Sequence, residues 1–82
     1  MNKDYVLYHL NEALEEIQTT IEEIGSEEEY GHGDLSVAMT HLYHHINTAW
    51  NARNASSKEA QECSEADFLA WRQFPTDLDM QC

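Results

Sequence analysis

Residues 4–24 read DYVLYHLNEALEEIQTTIEEI, with Leu7, Leu10, Leu14, Ile17, Ile21 and Ile24 spaced 3, 4, 3, 4 and 3 apart. Helical side chains three and four positions apart share a face. The spacing therefore predicts an α-helix over 4–24 with an apolar seam running through nearly three heptads. Asn2 or Asp4 can cap its start, and Gly25 fits the left-handed position just past its end. The acids Glu12, Glu15, Glu16, Glu22 and Glu23 lie off the seam, and its flanks hold Val6, Asn11, Ala13, Gln18 and Thr20. Uncharged flanks widen the apolar stripe, which suits a multi-helix bundle better than a lone two-stranded coil. Six aliphatic side chains on one helix do not offset the entropy of ordering its backbone, so this helix must pack on something.

Outward from that segment, SEEEYGHG at 26–33 breaks the periodicity and reads as a connection short enough to make the flanking helices antiparallel. Tyr30 is expected over the hairpin end and His32 in solvent. A second helix is expected over 34–54, with Asp34 as its N-cap and Leu35, Met39, Leu42, Ile46, Ala49 and Trp50 on one face beside Ala38. Between Asp34 and Arg53 there is no formally charged residue if the histidines are neutral. The opposite face is Ser36, Thr40, His44, Asn47, Thr48 and Asn51, and depletion of charge is the mark of a covered surface. The cover expected is the C-terminal segment, a second subunit or a ligand.

Residues 55–63 read as a loop or as an extra helical turn from Ser56, which has capping-box spacing to Glu59. A third helix is expected over 64–74, started by Ser64 and stopped by Pro75. Trp50, Phe68, Trp71 and Phe74 suggest an aromatic cluster that docks this helix across the open end of the hairpin. Leu78 and Met80 give the tail something to pack or fray. The fold class that follows is all-α, one domain, with an antiparallel hairpin and a short third helix, able to pair into a four-helix-type bundle.

Sixteen acids against Lys3, Arg53, Lys58 and Arg72 give a formal charge of −12 over 82 residues. Such a field opposes contact with phosphate backbones and with anionic membrane surfaces. No apolar run approaches the roughly 20 residues of a membrane span. Cys63 and Cys82 form no CxxC pair, and nothing at the start reads as a leader, so a reducing cytoplasm is expected.

His41 and His45, four apart, can project from one helical face and chelate a divalent metal such as zinc. A third ligand is then needed from His9, from a glutamate of the first helix or from another subunit. His44 points about 100° away from either. The HLYHH segment lacks the glutamate of HExxH, and the commoner state of such a pair is two boundary histidines. His9 with Glu12 and Glu16, expected on the outer side of the first helix, could share acid–base work, though a solvated face explains them. Cys63 sits among acids, an environment that disfavours a thiolate. Trp50 and Arg53 are residue types enriched at binding hot spots.

The reading that follows is a non-enzymatic protein-interaction or homodimerisation module. It would associate through the first helix or through the neutral face, with Thr40, His44, Asn47, Trp50, Asn51 and Arg53 as contacts. Two alternatives stand beside it. One is a metal-binding or enzymatic bundle using His41 and His45; the other is an acidic decoy for a basic partner protein.

Overall fold

A computed structural model describes residues 1–79 and is all-α; no strand occurs among the described residues. The helices are α1 (Lys3–Ser26), α2 (His32–Asn51), α3 (Ser57–Glu62) and α4 (Glu65–Trp71). The two long ones form the antiparallel hairpin, and α4 docks on α2. No described helix is long and apolar enough to cross a membrane.

Asn2 fastens the open end of the hairpin. Its side-chain oxygen accepts from the Tyr5 N–H at 3.1 Å and so caps α1. Its amide donates to the Ala55 carbonyl at 3.0 Å, and its backbone N–H donates to the Arg53 carbonyl at 2.6 Å. At the other end, α1 runs two residues past the expected stop. Gly25 lies inside its last turn without a positive φ, and Glu27 is the cap. Helix α2 begins two residues earlier than expected. Gly31 takes the N-cap position, and Asp34, three residues in, accepts the Gly31 N–H at 3.0 Å. A carboxylate there faces the positive end of the helix dipole, so Asp34 keeps a capping role from a different register. Helix α2 ends at Asn51 rather than 54, capped by Ala52.

The capping-box spacing resolves residues 55–63 in favour of helix. Ser56 Oγ accepts the Glu59 N–H at 3.1 Å, and Glu59 accepts the Ser56 N–H at 2.9 Å. Cys63 ends α3 in the left-handed region, φ 38°, which turns the chain directly into α4 under the Ser64 cap. Helix α4 stops at Trp71, short of the expected 74. The carbonyls just past its end are taken by α2: Asn47 donates to Arg72 at 3.0 Å, and Asn51 donates to Trp71 at 2.8 Å and Gln73 at 2.7 Å. Over its C-terminal half, the uncharged face of α2 is therefore covered by the C-terminal segment, while Ser36 and Thr40 stay exposed.

The expected aromatic cluster is divided. Phe68 packs on the His44 ring at 5.1 Å and Trp71 on Tyr5 at 6.0 Å. Trp50 instead donates to Asp77 at 2.8 Å, and Phe74 and Leu78 are exposed. Met80 and Cys82 lie outside the described residues.

The largest departure concerns the core. The buried apolar residues named in the hairpin are alanines, Ala13, Ala38, Ala49 and Ala52, accompanied by His9, Asn47 and Thr48. The leucine–isoleucine seam of α1 does not face α2. Leu14 is 51% exposed and Ile21 65%, and Leu7, Leu10, Ile17 and Ile24 are exposed with them. Small side chains permit a closer approach of two helix backbones than leucines do, and the hairpin closes on its narrow stripe.

Candidate functional site

Two faces of the hairpin carry features beyond simple folding. The inner one is a seam of histidines. His9, buried to 5% exposure, points at α2 and not outward as its sequence context suggested. Its Nδ1 lies 3.0 Å from Nδ1 of His45, close enough for one ring to donate its hydrogen to the other. The His9 ring also meets Tyr5 and Tyr8 edge-on, at 4.6 and 5.0 Å. His44 is drawn into the same group, 4.8 Å from His45 and 6.0 Å from His9 between ring centres, despite its angular offset. Burial, helped by the neighbouring His45 and His44, holds the His9 pKa down at about 4. His44 is lowered in the same direction, first by burial and then by His45, Arg72 and His41.

His41 and His45 take different partners. His45 engages His9, whereas His41 is exposed with Glu16 at 4.0 Å, at the limit of an ion pair. Among the described residues no group of three or more His, Cys, Asp or Glu side chains converges as a metal site. Glu16 lies on the inner side of α1 with its carboxylate toward α2, so Glu16 and His9 do not form an outer acid–base group.

The outer face is apolar. Leu7, Leu10, Leu14, Ile17, Ile21 and Ile24 run along α1, and Leu35 and Ile46 are exposed on α2. The two rows lie on one side of the hairpin. Val6 and Leu10 join Ile46, Ala49 and Trp50 in a single shallow cleft of about 290 Å³. Arg53 closes the end of that cleft, its guanidinium 3.8 Å from the Trp50 ring and 3.6 Å from Asp77. The Trp50 hydrogen bond, with Arg53 nearby, holds the Asp77 carboxyl below its ordinary range.

The six interaction residues expected from sequence thus fall in three places. Trp50 and Arg53 border the outer cleft. Asn47, Asn51 and His44 are engaged by the C-terminal segment. Thr40 is exposed with its hydroxyl donating to the Ser36 carbonyl at 2.8 Å. The first helix was one of the two association surfaces expected from sequence; what sequence reasoning missed is that its leucine–isoleucine seam stays exposed while a different stripe of α1 packs on α2. The alternative stripe Tyr5, His9, Ala13, Glu16 and Thr20 has the same 4- and 3-residue spacing, and that was the available signal.

Compared with known proteins, the chain matches no family model, no curated protein and no solved structure.

Proposed function

We propose that this chain is a homodimerisation module, in which two hairpins close their outer faces on each other as a four-helix bundle. The carrying observation is the unbroken exposed row Leu7–Leu10–Leu14–Ile17–Ile21–Ile24, flanked on the same side by Leu35 and Ile46. Burying the remaining half of six Leu and Ile side chains on each of two copies returns about 9–18 kcal/mol, at roughly 1.5–3 kcal/mol for a whole side chain. Association costs about 4–15 kcal/mol, so the face is large enough to hold a dimer.

A second copy fits this face on two further grounds. The heptad spacing is self-complementary, as a two-fold interface requires. The glutamates of α1 all lie off the seam, so like charges are not buried when copies meet. Two chains of charge −12 still repel at long range, but that field is screened within about 8–10 Å at physiological salt. We read the setting as cytoplasmic, since two cysteines without framework spacing need no oxidising compartment.

Sedimentation equilibrium and native mass spectrometry test this directly. Wild type should be dimeric at micromolar concentration, and Leu14→Glu should raise the dissociation constant more than 100-fold. Raising salt should tighten the dimer, the opposite sign to salt-sensitive capture of a basic partner. A wild-type monomer at 100 µM would sink the proposal.

A further inference from the structure

Lys3 stands four residues ahead of Leu7, and Glu28 stands four residues past Ile24. The apolar row of α1 thus has a cation before it and an acid after it, both in phase with its heptads. Lys3 is the first residue of α1, and Glu28 lies in the turn just beyond the Glu27 cap. Both are exposed, and neither forms an ion pair among the described residues. The two ends of the hairpin differ in the same sense. Glu27, Glu28 and Glu29 crowd the turn, whereas Lys3 and Arg53, the latter shared with Asp77, sit at the open end.

Two hairpins can close their outer faces under two-fold symmetry in two ways. With the axis along the helices, α1 of each copy covers α2 of the other, and both turns meet at one end. With the axis across the helices, α1 lies antiparallel on the partner's α1, and the turns point to opposite ends. The apolar area is similar in the two, so the choice falls to what each arrangement sets side by side.

Resting on the dimer proposed above, we infer that its subunits lie head to tail, α1 against α1, with Lys3 of each clasping the partner's Glu28. The row is symmetric about the point between Glu15 and Glu16. Reversing it sets Leu7 on the partner's Ile24, Leu10 on the partner's Ile21 and Leu14 on the partner's Ile17. Every layer then holds one leucine and one isoleucine, an even volume that fills without gaps. The same reversal carries Lys3 to the partner's Glu28 at both ends of the pair. Packed helix axes lie about 8–10 Å apart, a span that a lysine and a glutamate bridge. The other arrangement gathers both copies of Glu27, Glu28 and Glu29 at one end, where they repel. An exposed ion pair adds little to affinity. Orientation is a difference between two arrangements of the same faces, so a contact attractive in one and repulsive in the other decides it. Two such pairs leave the repulsion between chains of charge −12 in control of the salt response.

Within one chain Lys3 and Glu28 stand at opposite ends of α1, about 37 Å apart at 1.5 Å per residue, so any bond between them joins two subunits. A water-soluble carbodiimide, which couples an amine to a carboxylate in direct contact, is applied to the wild-type protein, and the linked peptides are read by mass spectrometry. Lys3 should be joined to Glu28 or to its neighbours Glu27 and Glu29, in a covalent dimer. Sedimentation equilibrium at fixed salt supplies the second measurement. The double reversal Lys3→Glu with Glu28→Lys keeps the charge at −12 and should dimerise at least threefold more tightly than the two single reversals together predict. A covalent dimer linking Lys3 only to acids of the open end, such as Asp4, or reversals that simply add, would overturn the head-to-tail arrangement and leave the dimer standing. A wild-type monomer at 100 µM would remove the dimer and the arrangement together.

Discussion

Ala13 and Leu14 are adjacent in sequence and opposite in circumstance. Ala13, at 4% exposure, is pressed between the helices; Leu14 is half in solvent. The same contrast runs the length of α1. Its inner face offers Tyr5, His9, Ala13 and Glu16, and its outer face offers Leu7, Leu10, Leu14 and Ile17. The inner face is narrow and polar and sets the geometry of one chain through specific contacts such as His9–His45. The outer face is wide and greasy and stays largely exposed among the described residues. The hydrophobic effect supplies strength in proportion to area, whereas directional polar pairs supply register. Here the two roles are separated by about a third of a turn around a single helix.

Substituting the adjacent pair breaks the comparison most sharply. Leu14→Ala should cost about 2–5 kcal/mol per chain if the outer face is buried in a dimer, and almost nothing in a chain that stays alone. The thermal midpoint measured across a hundredfold range of protein concentration distinguishes these outcomes. Ala13→Leu should cost about 1–3 kcal/mol at every concentration, because the inner seam has no room for the added carbons.

The pH dependence probes the inner face alone. His9 is held at about 4 when folded, against 6.5 when free, so protons bind more readily to the unfolded chain. Stability from this group is complete above pH 6.5 and is lost as pH falls toward 4, by on the order of 2–3 kcal/mol. His44 adds in the same sense. Carboxylates protonate toward the lower end of the same range, so the informative quantity is the difference between wild type and His9→Gln. That difference should shrink as pH drops, as read from urea midpoints; a constant gap would contradict a buried neutral imidazole.

Smaller effects belong to the clasps around the hairpin. Asn51→Ala removes two hydrogen bonds to the Trp71 and Gln73 carbonyls and should loosen the C-terminal segment by about 1–2 kcal/mol. Hydrogen exchange at 65–76 should rise while the dimer constant holds. Ser56→Ala should cost about 0.5–1 kcal/mol, confined to α3 and visible as faster exchange at 57–62.

Much of the architecture was legible because its signals are local. The seam announced α1, the Ser56–Glu59 spacing announced α3, and the uncharged face of α2 announced a covered surface. The direction in which α1 turns was not legible. Two stripes of equal period lie side by side on it, and the more hydrophobic one marks the helix without marking its nearest neighbour. The choice between them rests on how closely the two backbones can approach along stripes that carry the buried Ala13 on α1 and the buried Ala38 and Ala49 on α2, a property of two segments together. His9 followed the stripe. Read on one helix it looked like part of an acidic exterior, and only the position of α2 makes it a buried partner of His45. The offsets at Gly25 and Asp34 are register shifts of one turn or less, within which several caps compete.

Asn2 gives the molecule a further property. Three of its polar groups lock the beginning of the chain to residues 5, 53 and 55, independently of every leucine. In the proposed dimer, two subunits would consequently part and rejoin as preformed halves, with no refolding between the events. Exchange of partners would then be set by the greasy face alone, and a fusion placed ahead of Met1 would sit at the latch that keeps each half in shape.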